Sequence, residues 1–228
     1  MNKKESIVIS LGGSLIVPDE IDVEFLKLFV KTIKEYVSKG YNFLIITGGG
    51  KVCRRYIDSL KQMADTSNED LDWVGIASTR LNAEFVRICF GNLAYEKVVL
   101  DPEVIPKTDK PIIVGGGWKP GNSSDLAAVY SARSIGSKKI INLTNIDYVY
   151  NKDPKINSDA NPINKISWID FILLFPNEWI PGRNTPFDPI ASCAAESLGY
   201  EVIILNGKNI NNLKDYLDGK AFAGTVIK

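Results

Sequence analysis

Histidine is absent from the 228 residues. Ser-His-Asp hydrolysis, Cys-His proteolysis, His-ligated metals and any imidazole base are thereby excluded. Cysteine is scarce: Cys53, Cys89 and Cys193 are odd in number, scattered and without a CxxC pair, so neither a disulfide framework nor a zinc site is suggested. Net charge is lacking too. Lys+Arg and Asp+Glu both total 27, which argues against nucleic-acid binding driven by excess positive charge. No apolar run approaches the ~20 residues of a membrane span, so no membrane association is expected. Met1-Asn2-Lys3-Lys4-Glu5 runs into a strand-like segment without a signal-peptide apolar region. The cytoplasm is the expected compartment. There is no GxxxxGK[ST], which excludes a P-loop enzyme, and no GxGxxG after the first strand, which speaks against a dinucleotide-binding Rossmann enzyme. Sequons at Asn122 and Asn142 fall in a loop and a strand of a chain with no export signal, and carry no function.

What is present is alternation. At ~150 residues per domain the length suits one large domain, and 45% hydrophobic with 24% charged residues is ordinary globular composition. Strands are predicted at Ser6–Leu11, Phe43–Thr47, Lys97–Leu100, Pro111–Val114, Lys139–Leu143 and Glu201–Leu205. Helical spacing of apolar residues, or Ala-rich composition, predicts helices at Phe25–Val37, Lys51–Met63, Glu69–Cys89, Asp125–Ile135 and Phe187–Leu198. Unbroken β-branched runs between helices indicate a mostly parallel sheet covered on both faces. The expected fold is a three-layer α/β/α sandwich. The stretch from Asn145 to Arg183 lacks periodicity and reads as irregular.

Three glycine runs follow strands: Gly12-Gly13-Ser14, Gly48-Gly49-Gly50 and Gly115-Gly116-Gly117. In an open parallel sheet the C-terminal strand edges share one side, where ligands bind. Without a Cβ, backbone N–H groups can approach an anion closely. Helices after the second and third runs are expected to add the partial positive charge of their N-termini. A glycine after a strand is often only a tight turn, but turn geometry alone does not call for triplets. A phosphate-binding cleft is expected.

The residues around the glycines carry a further signal. They read Ile9-Ser10-Leu11-Gly12-Gly13-Ser14, then Thr47-Gly48-Gly49-Gly50-Lys51-Val52-Cys53-Arg54, then Gly116-Gly117-Trp118-Lys119-Pro120-Gly121-Asn122-Ser123-Ser124-Asp125, then Leu143-Thr144-Asn145 through Tyr150-Asn151-Lys152-Asp153-Pro154. In this order they resemble the amino acid kinase superfamily, and within it the UMP kinases of archaeal type. The resemblance runs from about Ser6 to Lys228. It implies a single domain over 1–228, with an acceptor-binding lobe to about residue 137 and an ATP-binding lobe from about 138. The activity it implies is phosphoryl transfer from ATP, with Mg²⁺ held mainly by nucleotide phosphates, to UMP. It also implies a hexamer built from dimers.

Residue by residue, the resemblance implies that Gly12, Gly13 and Ser14 contact the transferring phosphates, that Gly49 and Gly50 lie between donor and acceptor, and that Arg54 reaches a phosphate. Arg54 suits that role, being one helical turn into its helix and able to bond bidentately; otherwise it is surface charge beside Arg55. Asp72 matches an aspartate that accepts from the acceptor ribose hydroxyls, and would otherwise be a first-turn residue of its helix. Trp118, Lys119, Pro120, Gly121, Asn122, Ser123 and Ser124 match the acceptor loop, and Asp125 an aspartate that orients catalytic groups. Thr144, Asn145, Tyr150 and Asp153 match the ATP site, with the tyrosine flanking adenine.

Two departures stand out. Ser10 takes the place where many superfamily members carry a lysine in the first strand, and Trp118 replaces a smaller residue and is expected to narrow the acceptor pocket. The missing cation leaves Lys51 or Arg54 to take over its electrostatic role, or else the chain binds nucleotide without transfer. A carboxylate, carbamate or other phosphate acceptor is the remaining alternative. The lack of histidine favours UMP over isopentenyl phosphate, whose kinases in this superfamily use a histidine on the acceptor phosphate.

Overall fold

A computed structural model describes residues 6–175 and 185–228. In chain order the strands are β1 (Ser6–Leu11), β2 (Asn42–Thr47), β3 (Ile112–Gly115), β4 (Lys139–Thr144), β5 (Val149–Tyr150), β6 (Pro162–Ile163), β7 (Lys165–Ile166), β8 (Glu201–Asn206) and β9 (Thr225–Ile227). The helices are α1 (Gly13–Ile16), α2 (Val23–Ser38), α3 (Gly50–Met63), α4 (Asn68–Phe90), α5 (Ser124–Ile135), α6 (Trp168–Leu174), α7 (Pro189–Ser197) and α8 (Ile210–Leu217). The seven-stranded sheet runs β3-β2-β1-β4-β8-β9-β7. Strands β3, β2, β1, β4 and β8 are parallel, β9 lies antiparallel to β8, and β7 is parallel to β9. The sheet is thus mostly parallel, as expected. No helix among the described residues is long and apolar enough to cross a membrane.

Period-two alternation splits each strand between two cores. Ile9, Leu11, Phe43, Ile45, Ile141 and Leu143 face a cluster with Phe29 and Ile33 of α2, Val86 of α4 and Leu213 of α8. Val8, Leu44, Ile46, Ile140 and Val202 face the opposite cluster with α5, α6 and α7, through Ala128, Phe171 and Ala191. Side-chain caps fix the helix starts. Asp22 accepts from the Phe25 N–H, Ser67 and Asp70 form a reciprocal capping box, and Asp188 accepts from the Ala191 N–H.

Several expectations need correction. Lys97–Leu100 is not a strand: only Val99 bridges to Gly115, through its N–H to the Val114 carbonyl at 2.9 Å and its own carbonyl from the Gly116 N–H at 3.1 Å. It lies beyond the β3 edge, with Val99 buried and Leu100 exposed. The Asn145–Arg183 stretch is not wholly irregular, since it holds β5, β6, β7 and α6; its part from residue 176 on lies outside the described residues. The Phe187–Leu198 helix starts only at Pro189, because Asp188 is its cap. A helix, α1, follows the first glycine run directly, whereas α5 begins at Ser124, well after the third.

Topology positions the cleft. The chain steps outward from β1 to β2 to β3, then returns to β4 on the other side of β1. Strand order therefore reverses between β1 and β4, and the crevice beyond their C-terminal ends is the natural ligand site of such a sheet.

Phe29 has no exposed surface, stacks on Phe25 at 5.8 Å and meets Phe90 edge-on at 6.3 Å. Phe29→Ala is expected to cost about 3–5 kcal/mol in urea unfolding. The adjacent Leu28→Ala, at a side chain 50% exposed, is expected to stay within about 0.5 kcal/mol. Equal effects would contradict this core.

Candidate active site

A cleft of about 420 Å³ opens beyond the C-terminal ends of β1 and β4. It is lined by Gly12, Gly13, Ser14, Gly49, Gly50, Arg54, Asp72, Asn122, Ser123, Ser124, Asp125, Thr144 and Asn145. A second cavity of about 320 Å³ adjoins it, sharing Thr144, Asn145, Thr185 and Pro186, and is lined by Tyr150 and Asp153. Residues far apart in sequence thus converge. Trp118, Lys119, Pro120 and Gly121 line neither cavity. The Trp118 ring lies edge-on to Tyr130 of α5 at 5.7 Å, with the Lys119 ammonium 3.8 Å over it. The expected narrowing of the cleft by Trp118 is therefore not what its ring does: stacking on α5 draws it away.

The glycine triplets have a packing reason that the expectation about turns overlooked. A Cβ on Gly13 would lie 2.0 Å from the Gly50 nitrogen, and one on Gly50 would lie 2.5 Å from the Gly13 carbonyl oxygen. Gly50 also holds φ at +70°, which side chains resist. The turns after β1 and β2 thus touch backbone to backbone. Behind them the Gly12 N–H donates to the Leu143 carbonyl at 2.8 Å and the Gly48 N–H to the Leu11 carbonyl at 2.9 Å. Gly13 and Ser14 open α1 and Gly49 caps α3. First-turn N–H groups have no helical acceptor, and two helix N-termini meet here.

Among the described residues Arg54 has no hydrogen-bond or ion-pair partner, though it stands exposed at the cleft. Its neighbours are occupied: Lys51 pairs with Asp19, and Arg55 reaches the same carboxylate at 3.1 Å. Of the two substitutes for a first-strand lysine, only Arg54 is at the cleft.

Ser10 lies on the α5 side of β1 and its Oγ–H donates to Asp125 Oδ1 at 2.9 Å. Asp125 Oδ2 accepts the Asp188 N–H at 3.1 Å. The Asp188 carboxylate caps α7 and also accepts from Ser123, whose Oγ caps α5 by taking the Leu126 N–H. The starts of α5 and α7 are thereby joined to β1 at the cleft floor. Burial first, and the nearby Asp188 charge second, push the Asp125 carboxyl from the usual 3.8 up to about 6, against the opposing hydrogen bonds of Ser10 and the Asp188 N–H. Burial raises Asp188 as well.

Sequence reasoning predicted α4 and its Asp72 but missed Thr79, Arg80 and Asn82 on the same helix. Thr79 Oγ1 accepts the Gly117 N–H at 2.7 Å, Arg80 donates to the Gly117 and Trp118 carbonyls, and Asn82 Nδ2 donates to the Gly48 carbonyl at 2.8 Å. Asp72 Oδ2 accepts the Gly121 N–H at 2.7 Å. Two turns of helix separate Asp72 from Thr79, and that spacing was the available signal. On the far side, Asp153 Oδ1 accepts the Lys155 N–H at 2.9 Å, and Tyr150 packs edge-on to Tyr148 at 6.4 Å.

The amino acid kinase family matches over residues 5–206. The chain is 32% identical over 225 residues to a uridylate kinase of Thermoplasma volcanium, covering 98% of each. It is 33% identical over 225 residues to one of Pyrococcus abyssi, covering 96% of this chain and 98% of the other. The crystal structure of a uridylate kinase from Archaeoglobus fulgidus matches with a TM-score of 0.79 at 31% identity, covering 99% of this chain and 100% of that one. A UMP kinase from Ureaplasma parvum shares the fold, with a TM-score of 0.77 at 23% identity and 99% of each chain covered.

The raised Asp125 pKa has a consequence for stability. A carboxyl whose folded pKa exceeds its unfolded one favours the fold most below the unfolded value, and that contribution is lost as pH rises through about 6. Asp125→Asn removes the titration. Relative to the parent, its stability in urea should be greater at pH 8 than at pH 4.5 by about 2 kcal/mol. A difference independent of pH would show that Asp125 ionises normally.

Proposed function

The chain belongs to the amino acid kinase family, and on the arrangement of its cleft we propose that it transfers the γ-phosphoryl group of ATP to UMP, giving UDP and ADP. The observation that carries this reading is the backbone contact of the two glycine turns, with Arg54, unpartnered among the described residues, beside it and a second cavity adjoining through Thr144 and Asn145. Two joined cavities suit two nucleotides meeting at their phosphates. In this reading ATP lies along Gly12, Gly13, Ser14, Gly50, Thr144 and Asn145, with its base near Tyr150 and Asp153. UMP lies toward Gly49, Asp72, Asn122, Ser123 and Ser124, and Arg54 serves the phosphates of both. The relatives named uridylate kinases support the choice of acceptor.

Little covalent chemistry falls to the protein. An oxygen of the UMP phosphate forms the new P–O bond as the bond to the ADP oxygen breaks. That phosphate is already ionised, so no general base is required, which suits a chain without histidine. Backbone N–H groups at Gly13 and Ser14 and the guanidinium of Arg54 offset charge on the phosphoryl oxygens and hold the reactants in line. Asp125, with both oxygens occupied by Ser10 and the Asp188 N–H, holds the floor of the site.

Magnesium fits as part of the nucleotide. Among the described residues no three Asp, Glu or Cys side chains converge to cage an ion. When bound on ATP phosphates, the ion would neutralise charge on the transferring group.

The proposal extends to a cytoplasmic enzyme of pyrimidine nucleotide biosynthesis that works as a homohexamer built from dimers. The motif resemblance supports it, and Leu81 and Ile88, 65% and 60% exposed along α4, are apolar surface suited to self-association.

The test is ADP release from MgATP with UMP, CMP, AMP and isopentenyl phosphate in parallel. Turnover is expected with UMP above the others. ATP binding without turnover on any acceptor would contradict the assignment. Arg54→Ala is expected to raise the KM for UMP and to lower kcat/KM by about 1.5–3 kcal/mol of transition-state stabilisation. Unchanged kinetics would leave Arg54 as surface charge.

A further inference from the structure

The segment between β3 and α5 carries the part of the cleft read here as the acceptor side, yet it has no helix or strand of its own between Gly116 and Ser123. Its second half is tied down by the caps of α5 and α7. Its first half depends on α4. Arg80 Nε–H donates to the Gly117 carbonyl at 3.0 Å, and its terminal N–H donates to the Trp118 carbonyl at 2.9 Å. Arg80 has no carboxylate partner among the described residues, so its rigid fork serves these two consecutive carbonyls. Two parallel bonds fix the orientation of the intervening peptide, which a lysine, with one compact charge, cannot do. Gly116 permits the approach, since a Cβ there would lie 3.1 Å from the Arg80 Cα. Thr79 and Asp72 hold the neighbouring Gly117 and Gly121 amides from the same helix.

We infer that Arg80 is a positioning residue for the acceptor: through the Gly117 and Trp118 carbonyls it latches the loop onto α4, and so sets Asn122, Ser123 and Ser124 at the cleft. The inference rests on the UMP-kinase reading for the identity of the acceptor, but not for the latch itself. The donor side is held by different elements, β1, β4 and the β5 region. Arg80 therefore governs acceptor affinity and leaves ATP alone.

Amide hydrogen exchange and steady-state kinetics on Arg80→Ala and Arg80→Lys test this together. In Arg80→Ala the Gly117 and Gly121 amides should exchange about tenfold faster or more, while amides of β1 and β4 stay protected as in the parent. The KM for UMP should rise about tenfold, with the KM for ATP and kcat within about twofold of the parent. Arg80→Lys should fall between the two on both measures. Faster exchange throughout the protein, or an equal rise in both KM values, would make Arg80 a general stabiliser and overturn the inference. Unchanged loop exchange would overturn it as well. A parent inactive on UMP would sink the acceptor assignment, and the exchange data would still decide whether Arg80 holds the loop.

Discussion

Gly13 and Gly50 touch through bare backbone, and the cleft takes its shape from that contact. The parallel pairing of β1 with β2 brings their C-terminal ends side by side. Any Cβ at Gly13 would stand inside the neighbouring turn. Because the turns close on each other, the starts of α1 and α3 are brought side by side. The same glycines that look like an anion cradle are therefore also a packing requirement. Polar chemistry at this edge and stability of the sheet are written into the same residues, so a substitution there loses both together.

The floor of the cleft shows a second constraint. In the motif pattern this chain resembles, many members carry a lysine at the place of Ser10. A cation there would draw the carboxyls of Asp125 and Asp188 down into their ionised range. The Ser10 hydroxyl instead gives Asp125 one hydrogen bond and leaves burial to dominate, so both carboxyls are raised. Arg54 stands at the cleft wall, while Lys51 is drawn off by Asp19. Under the proposed function, charge compensation comes from the helix after the second glycine turn and not from the strand.

Much of the fold was legible in the chain because the central strands are continuous apolar runs and the long helices carry apolar residues at helical spacing. Ser6–Leu11, the Ser67–Asp70 capping box and the Ala-rich α5 each agree locally with their place in the sheet. What was not legible depends on partners distant in sequence. Lys97–Leu100 has strand composition but sits beyond an edge, where only Val99 finds a neighbour. The short strands β7 and β9 exist because they pair with each other and with β8, not because of any pattern of their own. In the site, motif order pointed to Gly12, Gly13, Gly49, Gly50, Arg54, Asp72 and Asp125, all of which line the cleft, whereas Gly115 and Gly116 of the third glycine run do not. It did not reveal that Trp118 to Gly121 turn away toward α4 and α5. Nor did it reveal Thr79, Arg80 and Asn82, whose bonds are to backbone atoms and leave no motif.

Under the proposed function the two cavities form one continuous cleft in which two nucleotides meet at their phosphates. It can be measured with a bisubstrate ligand, adenosine and uridine joined through five phosphates, by isothermal titration calorimetry. A continuous cleft should bind one equivalent per chain, at least about a hundredfold more tightly than ATP or UMP alone. Affinity no better than that of ATP, with UMP still able to bind alongside, would show that the cavities do not communicate and would contradict the account.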